Sequence, residues 1–554
     1  MNGAQWFVRT LKDRGVRQVF VLCGNGLNPF LDACIDYKMK IIDVRNEQAA
    51  TYMADLWGGF TGRMGVVAVS SGPGHTNTLT GVANAWWDGR PMMMVSGMSD
   101  LRTRGRGHFQ ELDQVEMVAP VCKYANLVKN IETLPSDTHA AINAAISSRP
   151  GPVHLTIPNN VFVAEVKNPP RDRTPAQAAP QGTGDAVLVK DAVKMLNKAK
   201  RPIMVVGSGA FYARSWPAIQ KFASLTGIPI YTLLWDRGCI EERIPEYVGI
   251  VSPEVNAGAE LICKADVILT LGGRVDDRLG FGQPPMTAKN VKFIRIDADP
   301  AEVNRFVPAD IGIVGSPSTV LEQIAAEASK MKWNNAAWLD TIRKRRQDML
   351  DYWMAQPVGD KAPMPSLRLC QEIMPFLAGD ATFLLDGGNI GRWAHMLFFF
   401  DRHPSYYFTC GISGVIGWGI PGGLAAKMAR PDKPVILLSG DGSAGFTLGD
   451  IQTAVRFGTP FVALIAHDSA WGIVADGQAE GRQAGSWLGE IRFDKVAEAL
   501  GARGVYVENA RQIAPAIREG LKARVPTFIH VPTTIYGIRS YRRWFGATSV
   551  KQEP

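Results

Sequence analysis

The sequence predicts three α/β domains, each built on an open parallel sheet. Two observations carry the prediction. Short β-branched apolar runs alternate with helical patterns along nearly all of the 554 residues. Near-continuous apolar runs separated by helices are the pattern of parallel strands covered on both faces. Two proline-containing stretches without apolar period then divide the chain into blocks of roughly 165, 150 and 190 residues, each near ordinary domain size.

The first block, residues 1–166, opens on "MNGAQWFVRTLKDRG". It has no apolar signal core and is expected as an amphipathic helix. Strands are expected in "RQVFVL", "KIIDV", "MGVVAVSS" and "RPMMMVSG". Lys167 to Asp185, "KNPPRDRTPAQAAPQGTGD", is the first linker. In the second block, 185–330, the strand candidates are "RPIMVVGSG", "IPIYTLL", "DVILTLGG" and "VKFIRID". Tyr352 to Ser366, "YWMAQPVGDKAPMPS", follows a charged helical segment and forms the second linker. The third block, 363–540, has "TFLLDGG", "PVILLSGDG", "PFVALIAHD" and "PTFIHVP". Residues 541–554 are left as a tail.

Composition narrows the class. Hydrophobic residues at 46% and charged residues at 20% suit a soluble globular chain. The longest apolar runs, "PMMMVSG" and "MLFFF", fall well short of the ~20 residues of a membrane span. Sixty Lys plus Arg against 52 Asp plus Glu leave +8. That charge is dispersed, which disfavours nucleic acid and leaves small anions open as ligands. The local exception is Arg539, Arg542 and Arg543 in "IRSYRRWFG", expected as a solvated segment. Seven cysteines without a CxxC pair point to a reducing compartment, the cytoplasm, and away from a zinc site.

In open parallel sheets ligands bind at the carboxyl ends of strands. One carboxylate there, Glu47 in "DVRNEQAATYMAD", stands where an apolar run ends and a helix begins. Alone it is a favourable charge near a helix N-terminus. The third block is more telling: "PVILLSGDGSAGFTLGDIQTAVRFGTPFVALIAHDSAWGI". A strand ends in "GDGS", a helix follows with Ile451, Ala454 and Val455 on one face, and a second strand ends in "HDSAWG". This βαβ unit brings Asp441 and Asp468 together across 27 positions. Two carboxylates, backbone carbonyls and waters suit magnesium. Glycines around Asp441, with Gly442 and Ser443 at a helix start, expose N–H groups suited to phosphate. Together they suggest a magnesium ion bridging the protein to a diphosphate.

Here the chain resembles the thiamine diphosphate (ThDP) enzymes, whose motif begins GDG and ends in an Asn pair about thirty residues on. The resemblance implies a fold of aminopyrimidine-binding (1–166), central (185–330) and diphosphate-binding (363–540) domains. It implies magnesium on Asp441, Asp468 and the Ala470 carbonyl, beside Trp471 and Gly472 at the cofactor. The chain has "HD" where "NN" is usual, which adds negative charge beside a diphosphate. Glu47 matches the family's glutamate that reaches across a subunit interface to the aminopyrimidine. There a protonated carboxyl bonds a ring nitrogen and favours the imino tautomer, which removes the thiazolium C2 proton. In "CGISGVIGWGIPGGLAAKMA", Gly414 would offer a carbonyl to the amino group and Ile416 would wedge the cofactor into its bent form. Gly388 and Asn389 of "DGGN" would approach the diphosphate.

Within the family, "SRPGPVHLTIPNNV", "FQELDQ" and "GGRVDDR" resemble acetolactate synthase. In that enzyme the last stretch lies along an FAD with no part in the chemistry. FAD or ADP is therefore an option for the central domain. Arg274 and Arg278 either touch a dinucleotide or form helix-start salt bridges, and "VVGSGA" (205–210) adds little. "DSAWGI", "GDGSAGFTLGD" and "RLGFGQPP" look more like benzaldehyde lyase and 2-hydroxyacyl-CoA lyase. Gln110 is expected to face the substrate and His75 of "GPGHTN" to be a turn residue. Asn28 stands where lyases tend to carry histidine. In the CoA-lyase reading the "RSYRRW" segment would close over a CoA phosphate.

The resulting expectation is a ThDP- and magnesium-dependent carboligase or lyase, acetolactate synthase-like first. A 2-hydroxyacyl-CoA or benzaldehyde lyase comes second. At least a homodimer, with a homotetramer usual among such relatives, is implied. The rival of another class is an idle ThDP-binding protein, suggested by "HD" alone. A nicotinamide dehydrogenase is disfavoured, because no acidic residue follows "VVGSGA" about 20 positions on at a strand end.

Overall fold

The computed structural model describes residues 1–167, 182–233, 240, 244–377, 379–398, 407–408, 411–479 and 481–535. Over these residues the chain forms two compact units, 1–349 with 411–415, and 350–398 with 407–408 and 416–535. The first unit contains two parallel sheets and the second contains one.

The first sheet is made of β1 (Gln18–Leu22), β2 (Lys40–Asp43), β3 (Gly65–Val69), β4 (Met92–Met98), β5 (Tyr124–Leu127) and β6 (Pro152–Pro158). Its order is β2-β1-β3-β4-β6-β5. β3 and β6 are buried at every residue, as strands sandwiched between helices must be. A core that includes Phe7, Phe30, Val95, Leu155 and Phe162 fills one face.

The second sheet contains β7 (Pro202–Val206), β8 (Ile230–Thr232), β9 (Tyr247–Ile250), β10 (Val267–Leu271), β11 (Lys292–Asp297) and β12 (Ile311–Val314). They run β12-β11-β10-β7-β8-β9. The third comprises β13 (Met364–Pro365), β14 (Thr382–Asp386), β15 (Tyr407–Phe408), β16 (Val435–Gly440), β17 (Val462–His467), β18 (Arg503–Tyr506) and β19 (Thr527–Thr534). Its order is β13-β19-β17-β16-β14-β15, with β18 beside β19. Every strand pairing in the three sheets is parallel. No described helix is long and apolar enough to cross a membrane.

Two segments the sequence singles out, residues 168–181 of the first linker and the "RSYRRW" stretch with the tail 541–554, lie outside the described residues.

Candidate functional site

In the first unit the helix Glu47–Thr61 starts four residues after β2. Asn46 caps it, its side chain accepting from the Gln48 N–H at 2.8 Å. The helix is apolar on most sides and therefore buried, which leaves Glu47 only 8% exposed. Asn77 Nδ2 donates to Glu47 Oε2 at 3.0 Å. A Cβ at Gly74 would stand 3.4 Å from Oε1 and 2.5 Å from Ser70 Oγ. The first turns of the helix Pro73–Asp88 thus face the glutamate.

Gln110 belongs to the same edge of the sheet. Asn25 Nδ2, after β1, donates to Ser71 Oγ at 3.1 Å and to Ser99 Oγ at 3.0 Å. Ser71 Oγ in turn donates to Gln110 Oε1 at 3.2 Å. Gln110 has φ +60°, a left-handed conformation that costs about 1 kcal/mol or more for a side-chain residue. Gly72 has φ +61°, and a Cβ there would press on Gln110 at 3.0 Å. Ser71, Ser99, Phe109 and Gln110 line one small pocket.

His75 is not a turn residue. It lies in the first turn of the helix Pro73–Asp88, fully buried, because Pro73 starts that helix two residues earlier. Its Nδ1 is 2.9 Å from Ser96 Oγ, and His154 Nε2 is 3.1 Å from the same hydroxyl. Burial pushes both imidazoles down, His75 to about 4. Asn28 is exposed at the start of the helix Asn28–Asp36.

In the second unit β16 and β17 are hydrogen-bonded neighbours, with Gly440 opposite Ala466. Asp441 and Asp468 therefore leave adjacent strand ends. "GDGS" makes a single turn, Asp441–Ala444, and the connecting helix begins separately at Asp450. Ile451 and Ala454 are buried in it, while Val455 is half-buried. Asp441 Oδ1 accepts from the Gly442 N–H at 2.8 Å. Its Oδ2 is buried without a hydrogen-bond partner. Asp468 accepts from Asn389 Nδ2 at 3.0 Å and from the Ala470 N–H at 3.3 Å. Burial and then the neighbouring Asp468 push Asp441 up to about 7, and burial raises Asp468.

The turn from Asp468 to Trp471 is pinned to residues 486–488. Leu488 N–H donates to the Ser469 carbonyl at 2.8 Å, and Trp471 N–H to the Ser486 carbonyl at 2.7 Å. Ser469 has φ +57°. The Trp471 ring covers Gly442, where a Cβ would be 2.5 Å from it. Gly472 lies against Asp468 and Asn389 in the same way, and Gly388 against Ile473. Ser443 is buried. The orphan Asp441 oxygen, the Asp468 carboxylate and nearby backbone carbonyls make an all-oxygen donor set that fits a hard divalent cation. His467, the departure from the Asn pair, has its Nδ1 2.9 Å from His530 Nε2 and its Nε2 3.7 Å from Asp441 Oδ2.

Gly414 is exposed with φ +67° in the turn Gly411–Gly414 of the first unit. Ile416, in the second unit, is half-buried. Just beyond it, Asp386 at the end of β14 accepts from the Gly417 N–H at 3.1 Å and the Gly419 N–H at 2.8 Å. Asp386, Asn77 and His530 were not anticipated as site neighbours. Asp386 stood inside the quoted "TFLLDGG" and "DGGN", whereas nothing in the spacing pairs His530 with His467.

At the second sheet, Arg274 makes a two-pronged ion pair with Glu302, both bonds 2.7 Å. Arg278 pairs with Asp276 at 2.9 and 2.7 Å, and Asp276 caps the turn that follows. Of the two explanations for these arginines, the structure supplies the salt bridges. Gly207 and Gly209 meet Gly272 and Gly273 backbone to backbone, which accounts for the glycines of "VVGSGA".

Comparison with known proteins agrees with the three sheets. Residues 1–117 match the thiamine pyrophosphate enzyme N-terminal TPP-binding domain, 189–324 its central domain, and 386–531 its C-terminal TPP-binding domain. The chain is 30% identical to the acetolactate synthase isozyme 3 large subunit of Escherichia coli, over 97% of this chain and 95% of that one. It is 29% identical to a probable acetolactate synthase large subunit of Methanocaldococcus jannaschii, over 96% and 92% of the two chains. A 2-hydroxyacyl-CoA lyase of Arabidopsis thaliana is 27% identical, over 96% and 95%.

Proposed function

The chain belongs to the thiamine pyrophosphate enzymes, and on that premise we propose that it makes or breaks a carbon–carbon bond beside a carbonyl, as an acetolactate synthase-like carboligase acting on 2-oxo acids. The observation that carries the reading is the pairing of Asp441 and Asp468 at adjacent strand ends, with one buried Asp441 oxygen unpartnered. When bound, ThDP supplies the carbon nucleophile and the electron sink.

This chain's residues do the rest. Asp441, Asp468 and the Ala470 carbonyl would hold magnesium, with Gly388, Asn389, Gly442, Ser443, Trp471 and Gly472 around the diphosphate. Asn77 occupies Glu47 Oε2, which leaves Oε1 to carry the proton offered to the aminopyrimidine nitrogen. Gly414 would hold the cofactor's amino group through its carbonyl, and Ile416 would pack against the cofactor. Gln110, fixed by Ser71, meets the substrate from the first sheet. Since the resemblance assigns Glu47 and Asp441 to one cofactor from two chains, the working form is at least a homodimer, with a tetramer as in such relatives. The cytoplasm is the proposed location. A nucleotide on the central sheet, FAD or ADP, forms no part of the chemistry in this reading.

A 2-hydroxyacyl-CoA lyase is the second reading, favoured by the full-length likeness to the Arabidopsis enzyme. Carbon NMR of the protein with ThDP, magnesium and labelled pyruvate separates the two. Acetolactate with CO2 is the expected product. No turnover of pyruvate, with cleavage of a 2-hydroxyacyl-CoA, would replace the first reading by the second.

A further inference from the structure

We infer that four buried polar residues of the first unit, Asp55, Asn84, Asp88 and Arg90, position the turn Gly411–Gly414, and through it the Gly414 carbonyl. The inference rests on the reading that Gly414 faces the cofactor.

The four are linked to one another. Arg90 Nη1 is 2.9 Å from Asp55 Oδ2, and Arg90 Nη2 is 2.7 Å from Asp88 Oδ2. Asn84 Nδ2 donates to Asp55 Oδ2 at 2.7 Å. Their exposures run from 0% to 5%. Two aspartates share one arginine in the interior, and stability alone is a weak reason to keep them there. A buried ion pair commonly gives no more stability than apolar side chains of similar volume.

Its outer edge has a specific task. Ser413 Oγ donates to Asn84 Oδ1 at 2.5 Å, and Ile412 N–H points at Asp88 Oδ1 from 3.4 Å. Gly411 has φ +73°, and a Cβ there would run into the Asp88 carboxylate. Asn84 spends its amide nitrogen on Asp55, so its oxygen must face the turn. The ion pairs therefore fix an acceptor, the acceptor fixes Ser413, and Ser413 stands next to Gly414. Asp55 is also on the helix Glu47–Thr61, eight positions after Glu47 and about 12 Å along its axis. One helix thus carries Glu47, which in this reading serves the partner subunit's cofactor, and anchors the turn before Gly414, which serves this chain's own.

Removing Asp55 or Arg90 would strand a buried charge, so the test is placed at the neutral edge of the network. Asn84→Ala, Ser413→Ala and the double variant are compared in the full-length protein with magnesium. The readouts are the ThDP dissociation constant from tryptophan fluorescence and the thermal midpoint. Each single change should weaken ThDP binding about three- to tenfold, and the double variant should bind no worse than the weaker single. Ser413→Thr should restore affinity and the Ser413→Ala midpoint should match the wild type, whereas Asn84→Ala also removes a donor from buried Asp55 and lowers the midpoint. Unchanged affinity in both single variants, or losses that multiply in the double, would overturn the inference. A wild-type chain that does not bind ThDP would overturn the reading beneath it instead.

Discussion

Asn389 Nδ2 lies 3.0 Å from Asp468 Oδ2, tying the third residue after β14 to the residue after β17 across the strand end that carries Asp441. The bond holds one carboxylate oxygen still while Asp441 Oδ2 stays unpartnered beside it. A site built this way needs its cation.

Chelation of divalent metal should therefore release ThDP, and magnesium should restore binding. At fixed magnesium, Asn389→Ala should weaken ThDP binding about 10- to 100-fold, the usual cost of losing a group that orients a metal ligand. Asp441→Ala should cost more than Asn389→Ala. Equilibrium dialysis of ThDP checks this, and an Asp441→Ala variant that binds as the wild type does would remove Asp441 from the metal site.

His75 and His154 share the Ser96 hydroxyl in the core of the first sheet. His75 titrates near 4 when folded against 6.5 as a free side chain, so the unfolded chain binds the proton more readily between those values. Stability contributed by the neutral ring is complete above pH 6.5 and is lost as pH falls toward 4. Urea unfolding at pH 5 should show about 2 kcal/mol less stability than at pH 7 from His75 alone. The loss from pH 7 to pH 5 should shrink by that amount in a His75→Gln variant, and an unchanged loss there would contradict the buried neutral assignment.

Arg274 and Glu302 form a buried two-pronged pair. Arg274→Met should destabilise the protein by about 3 kcal/mol, because buried Glu302 loses its two-pronged partner and keeps only the more exposed Arg305 at 3.1 Å. Adding Glu302→Leu should recover most of the loss. Calorimetric unfolding of the single and double variants measures this, and a single variant as stable as the wild type would reopen a ligand role for Arg274.

The sheets were legible because their central strands are continuous apolar runs. β7, β10 and β14 are buried throughout, and each was visible in the text of the chain. Edge strand β2 was visible as "KIIDV", but β5 is half-buried and β18 is exposed at both ends, so neither carries the pattern of a covered strand, and β6, buried throughout, was not among the expected strands. The strand-end pairing of Asp441 with Asp468 followed from βαβ connectivity. His75 was misjudged because "GPG" suggests a turn, whereas Pro73 here starts a helix. His530 beside His467, and Asn84 beside Ser413, are contacts over 63 and 329 positions, and no local spacing foretells such pairs.

Whether Glu47 activates the cofactor is read from deuterium exchange at C2 of bound ThDP. Quenched-flow NMR of the wild type and Glu47→Gln would be run with magnesium and no substrate. Fast exchange is expected in the wild type and a rate lower by about 100-fold or more in the folded Glu47→Gln protein, within the usual reach of a positioned acid–base group. Equal exchange rates in the two proteins would contradict it, and slow exchange in both would mark a chain that binds ThDP without activating it.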